Sequence, residues 1–156
     1  MKEKTLVVIG ADLNCYNVAR AYHEAYGKKA YCFGRYPMST TMHSTILHFK
    51  AISTLEEDDV LLKVLNDFAQ EHSEEELYLM GCTDQYADML IRLRDQLPMY
   101  HCPMPPKDIY LKIQKKAEFY EECDKYGIAY PDTVVVNGVV EESEVTEEKL
   151  GFAYPI

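Results

Sequence analysis

The sequence predicts an α/β fold built on a mostly parallel sheet. Short apolar runs recur at 5–9, 30–33, 46–52, 77–80 and 99–102, and stretches of helical spacing separate most of them. Gly10, Gly34 and Gly81 close three of these runs. Strands that alternate with helices pair in parallel, because each connection must cross back over a face of the sheet. Such crossovers are right-handed. The order βαββαβαβ is therefore that of a Rossmann-like, doubly wound layer, and residues 1–103 suffice to build it.

Each element has a local reason. Leu6-Val7-Val8-Ile9 is a buried-strand run, and Gly10-Ala11-Asp12-Leu13-Asn14 is turn chemistry in which Asp12 or Asn14 caps the next helix. Val18, Ala19, Tyr22, Ala25 and Tyr26 mark one face of a helix over 15–26 that Gly27 ends. Ala30 to Phe33 is the second strand. Residues 35–45 show no period and are expected to be a loop, and Ile46 to Ile52 is the third strand. Glu56, Glu57, Asp58 and Asp59 are expected in the first turn of a helix, where the dipole favours acids. Val60, Leu61, Val64, Leu65 and Phe68 form its apolar stripe. After a polar break at 73–76 comes the fourth strand, 77–80. Thr83 or Asp84 caps a helix striped by Ala87, Leu90, Ile91 and Leu97 and stopped by Pro98. Met99 to Cys102 is the fifth strand.

The texture changes after the break Pro103-Met104-Pro105-Pro106. Two helices are expected, Asp108 to Gln114 and Lys116 to Tyr126, the second with Phe119, Tyr120, Cys123 and Tyr126 inward and Gly127 as its cap. Asn137-Gly138 between Val134-Val135-Val136 and Val139-Val140 signals a hairpin. Thr146-Glu147-Glu148 opens a short helix. The last residues, Phe152-Ala153-Tyr154-Pro155-Ile156, begin an apolar strand. Leaving such side chains in water costs about 1.5–3 kcal/mol each, so a piece of a longer protein is expected. The domains read as 1–103 and a truncated 104–156.

Composition excludes several classes. The 156 residues are 47% hydrophobic and 27% charged, which is globular. The net charge of −10 has no compensating basic patch, so no nucleic-acid partner is expected. No apolar run is long enough for a membrane span, and the short run after Thr5 is not a signal peptide. Cys15, Cys32, Cys82, Cys102 and Cys123 are odd in number and widely spaced, which suits reduced thiols and a cytoplasmic setting. The five histidines lack metal-ligand spacing and the acidic runs at 56–59, 74–76 and 141–148 lack calcium-loop order, so those runs read as solvated and no metal site is expected.

Two stretches together carry a resemblance. One is Lys116-Ala117-Glu118-Phe119-Tyr120 followed by Gly127-Ile128-Ala129-Tyr130-Pro131-Asp132-Thr133; the other is Phe152-Ala153-Tyr154-Pro155-Ile156. They resemble the Lys-x-x-Phe-Tyr … Gly-Ile-x-Tyr-Pro-x-Thr … Phe-x-Tyr-Pro-Ile run of ATP-grasp carboxylate–amine ligases, a family that includes D-aspartate ligases and the carbamoyl-phosphate synthase large chain. The loops at 9–20 and 81–87 resemble those of the family's N-terminal, pre-ATP-grasp domain.

The resemblance implies a parent enzyme in which ATP and Mg²⁺ convert a carboxylate to an acyl phosphate that an amine then attacks. It implies that Lys116 reaches the nucleotide phosphates, with Lys115 as the alternative in register. The family's later lysine, arginine and metal ligands lie past Ile156. This piece is therefore expected to be inactive and to hold no cofactor tightly.

From the residues themselves, Gly10, Asp12 and Asn14 after the first strand, Arg35 after the second, and Thr83 and Asp84 after the fourth are the candidates to face a small-molecule carboxylate, because open α/β sheets bind ligands at that edge. Each also has a plain structural reading, as a turn, a cap or a solvated loop arginine. The amine partner is not readable from the residues. A second expectation is a non-catalytic Rossmann- or flavodoxin-like domain that binds a small ligand or regulates. A homodimer through exposed aromatics is compatible with either.

Overall fold

The computed structural model describes residues 2–134, 146 and 151. The chain divides into two compact units, Met1–Lys107 and Asp108–Ile156. The first contains β1 (Lys4–Ile9), α1 (Leu13–Tyr26), β2 (Ala30–Gly34), α2 (Ser39–Met42), β3 (Leu47–Ala51), α3 (Asp58–Glu71), β4 (Glu76–Gly81), α4 (Asp84–Leu93) and β5 (Tyr100–His101). The sheet is parallel throughout and runs β3-β2-β1-β4-β5. This is the Rossmann-like α/β fold that the alternation of strands and helices predicts.

The central strand explains its own sequence. Val7, Val8 and Ile9 are all fully buried because β1 is covered on both faces. Val7 and Ile9 point into the larger cluster, with Leu61, Leu65 and Phe68 of α3 and Met89, Leu90 and Leu93 of α4. Val8 points the other way, to Cys15 and Ala19 of α1 and Cys32 of β2. Beside α1, an apolar pocket of about 220 Å³ is lined by Leu6, Tyr22, Tyr26, Tyr78, Met80 and Pro103.

Several local expectations need correction. The stretch 35–45 is not all loop: Ser39–Met42 make one helical turn, held because the buried Thr41 hydroxyl donates to the Ala11 carbonyl at 2.8 Å. Only Asp58 and Asp59 lie in the first turn of α3. Glu57 is its cap and Glu56 stands before it, drawn aside by Arg35. The helix expected to run to Pro98 ends at Leu93 and tightens into a 3-10 turn over Arg94–Gln96, whose carbonyl Arg94 O accepts from Leu97 N–H at 3.0 Å. The acidic run at 74–76 is not simply solvated, since Glu75 accepts hydrogen bonds from Thr5 and meets His72 at 2.7 Å.

The second unit contains α5 (Lys107–Ile113, whose first residue belongs to the first unit) and α6 (Lys116–Tyr126). Gly127 ends α6 in the left-handed conformation at φ 64°, and Ile128 N–H reaches back to the Cys123 carbonyl at 2.9 Å. Of the four side chains expected inward, Cys123 is buried and Tyr120 half-buried, but Phe119 and Tyr126 are exposed. Tyr120 instead stacks on Tyr130 with centroids 4.4 Å apart, and Tyr130 donates to Asp124. The hairpin at Asn137-Gly138, the helix start at Glu147-Glu148 and the strand Phe152–Ile156 lie outside the described residues.

Candidate functional site

The chain winds from β1 outward to β3, then crosses to place β4 on the opposite side of β1. The crevice between β1 and β4 is thus the topological switch point, where sheets of this kind take ligands at the carboxyl ends of their strands. The loops after β1, β2 and β4 meet there. Gly10 N–H donates to the Phe33 carbonyl at 2.8 Å, and Cys82 N–H donates to the Ile9 carbonyl at 3.0 Å. The site's backbone is therefore an extension of the ladder, which fixes it without any ligand.

Glycine is required where these loops turn. Gly10 has φ 133°, and a Cβ there would lie 2.8 Å from Cys15 Sγ. Gly34 passes so close to the first loop that a Cβ would lie 2.7 Å from both the Gly10 oxygen and Ala11 Cβ.

The polar candidates fall into distinct roles. Asp12 caps α1: its Oδ1 accepts from the main-chain N–H groups of Asn14 at 3.1 Å and Cys15 at 3.2 Å. Its Oδ2 accepts from Asn14 Nδ2 at 3.0 Å. Asn14 Nδ2 also reaches the Cys82 carbonyl at 3.4 Å, so this side chain spans the crevice from α1 to the loop after β4. Thr83 caps α4 by accepting from Tyr86 N–H at 3.3 Å, and Asp84 is exposed in the first turn of that helix. Arg35 is not a solvated loop arginine. Its Nη1 is paired with the Glu56 carboxylate, and Tyr36 stacks over its guanidinium with the centroid 4.8 Å from Cζ.

Two further residues belong to this edge and carry no signal in the sequence as site residues. Glu56 reads as a helix-start acid but is the counter-charge of Arg35. Tyr86, outside the apolar stripe read for its helix, is buried, and its hydroxyl proton has no acceptor among the described residues. Burial first, and the nearby Glu56 carboxylate second, push its phenol up to about 12.

Three thiols also gather at this edge. The Cys32 Sγ–H donates to the Gly10 carbonyl at 3.3 Å. The Cys15 thiol is pushed well up by its contact with Cys32 and by burial, and Cys82 is pushed up by Cys15 and by burial. Cys15 and Cys82 are therefore protonated thiols at neutral pH.

In the second unit, Lys116 is exposed as the first residue of α6. Lys115, the alternative in register, is the helix cap and pairs with Glu118 at 3.3 Å. Two adjacent ammonium groups at a helix start stand at the positive end of the dipole, a poor place for cations and a good one for an anion.

The geometry of the first unit gives a fold and a carboxyl edge that gathers the candidate polar side chains, but no chemistry by itself. Comparison with known proteins narrows it. Over 154 residues, 96% of its length, the chain is 27% identical to the D-aspartate ligase of Enterococcus faecium (strain Aus0004). The chain is homologous to a ligase. It spans 37% of that protein's length. No family model matches the chain. Among the described residues, no helix is long and apolar enough to cross a membrane.

Proposed function

We propose that this chain is the N-terminal portion of an ATP-dependent carboxylate–amine ligase. In the intact enzyme ATP phosphorylates a carboxylate, and an amine displaces phosphate from the resulting acyl phosphate. The observation that carries this reading is the similarity to D-aspartate ligase along 96% of the chain. D-aspartate is accordingly the first carboxylate to try, though the chain covers only part of that relative.

The residues divide the work. Gly10, Asp12, Asn14, Arg35, Thr83 and Asp84 form the edge at which the carboxylate substrate docks. Lys116 supplies a positive charge to the nucleotide phosphates, a task suited to an exposed lysine at a helix start. Mg²⁺ would neutralise phosphate charge in such a reaction. Among the described residues no group of three or more His, Cys, Asp or Glu side chains is placed to hold a metal ion, so no step is assigned to a metal on these residues. The chain by itself is then a weak nucleotide binder without turnover, and residues 104–156 are the start of the nucleotide-binding lobe.

The test is ADP release by the intact gene product that carries this chain, supplied with ATP, D-aspartate or another carboxylate, and an amine. The expected result is release that requires both ATP and carboxylate and is lost in Lys116→Ala. Release that continues unchanged in Lys116→Ala would remove that residue's role. No carboxylate-dependent release with any acceptor would remove the enzymatic reading.

A further inference from the structure

Arg35 Nε and Tyr86 Oη are both buried, and neither proton finds an acceptor among the described residues. Such atoms are uncommon in native proteins, and each one asks what satisfies it. These two belong to the same corner. Tyr86 is 5% exposed, and its ring passes 3.8 Å from where a Cβ on Gly10 would stand. Its hydroxyl oxygen accepts from the main chain of Arg35, which leaves the O–H proton free to donate, and it feels the charges of Glu56 and Arg35. The hydroxyl stays protonated at neutral pH, so it offers an O–H donor.

The guanidinium is only partly used. Glu56 takes Nη1, which leaves the Nε edge of the fork. That edge is one of the two through which arginine holds a carboxylate side-on. Glu56, Asp12 and Asp84 stand near the same loops. Together they disfavour phosphate, which carries its charge of up to two on the one group that would enter, and tolerate a planar carboxylate group that carries one.

We propose that this corner holds the carboxylate of a small molecule, with Arg35 Nε–H and the Tyr86 hydroxyl both donating to it. The choice of a carboxylate rests on the ligase reading above, while the two unpartnered donors stand without it. Glu56 remains on Nη1 and keeps the guanidinium in place. Tyr36, 57% exposed and stacked over the guanidinium, is the cover that swings aside for entry.

The test uses the 156-residue chain and nuclear magnetic resonance. The Arg35 Nε–H and the amides of Gly10, Gly34 and Gly81 are followed while sodium succinate, sodium acetate, methyl acetate or inorganic phosphate is added. The expected result is saturable shifts with succinate, at millimolar or tighter affinity, and none with the uncharged ester. Phosphate should bind at least tenfold more weakly. Tyr86→Phe, which keeps the ring in the core, should weaken succinate about tenfold, and Arg35→Lys should abolish saturation. No saturable shift with either carboxylate in the unaltered chain overturns the proposal. So does phosphate binding as tight as succinate, or succinate binding that Tyr86→Phe leaves unchanged. These outcomes are independent of ADP release by the intact gene product. Turnover without succinate binding would spare the ligase reading and sink this one, and the reverse would do the opposite.

Discussion

Arg92 of α4 holds Asp58, the first residue of α3, through two N–H···O bonds of 2.7 and 3.2 Å, while its Nε takes Asp88 one turn back at 2.9 Å. One guanidinium thus ties the start of α3 to the last turn of α4, two helices that share the larger core cluster. Both side chains are more than a third exposed, so screening limits the gain. Arg92→Ala should cost about 0.5–1 kcal/mol in urea unfolding, and Arg92→Lys should recover little of it because the fork is lost. The Asp58 carboxyl is held below the usual range, chiefly by its hydrogen bonds to Arg92. Its contribution is therefore present above the ordinary carboxylate range and lost as the pH falls through the lowered value. The variant should show a shallower acid slope.

Glu75 joins the end of α3 to the start of the sheet. It accepts from the Thr5 hydroxyl and from His72, and it is only about a quarter exposed. Burial alone would raise its carboxyl, but the bonds from Thr5 and His72 and the nearby positive charges prevail and lower it. Thr5→Val should destabilise by about 1–2 kcal/mol, since it removes a bond to a charged acceptor that is partly shielded from water. The loss should appear above the ordinary glutamate range and fade as the pH falls below it. A stability difference that stays constant from pH 7 down to pH 3 would contradict this.

Tyr100 of the short strand β5 donates its buried hydroxyl to the Leu65 carbonyl of α3 at 2.7 Å. Burial pushes its phenol well above the ordinary value. Tyr100→Phe should cost about 0.5–1.5 kcal/mol. The unaltered chain should also lose stability as the pH rises above about 10, because the unfolded chain ionises there while the folded one resists. That alkaline loss should be smaller in the Phe variant. Thermal melts at pH 8 and pH 11 measure both effects.

Gly10→Ala should be among the most damaging single changes in the first unit. It asks an L-residue to hold φ 133° and drives a methyl group to 2.8 Å from Cys15 Sγ. The crowding alone is worth roughly 1–3 kcal/mol, with backbone strain added to it. Pairing it with Cys15→Ala should recover the crowding share and leave the strain, which a double-mutant cycle separates.

The Cys15 and Cys82 thiols should react slowly with disulfide reagents at neutral pH. For Cys15 the Cys32 neighbour and burial outweigh the lowering contact with Cys82, and for Cys82 the Cys15 contact and burial favour the protonated form. Reaction about tenfold or more slower than that of a free thiol is expected in the native chain, with normal rates after denaturation.

The sequence by itself determined the strands, the main helices and their order. Apolar runs closed by glycine, stripes at helical spacing and caps such as Asp12, Thr83, Gly27 and Gly127 are local signals, written within a few residues of what they control. It also placed the candidate site residues at the carboxyl edge, because strand order and loop position follow from topology. What only the tertiary structure decided is which side chains meet across distance. Arg35 and Glu56 are 21 positions apart and the Thr5 hydroxyl lies 70 positions from Glu75, so no periodicity links them. Nothing in the sequence singles out Tyr86 until the fold buries its hydroxyl with no acceptor for the proton among the described residues. The inward assignment of Phe119 and Tyr126 failed for a related reason: helical spacing says which residues share a face, but not whether anything in the unit covers it.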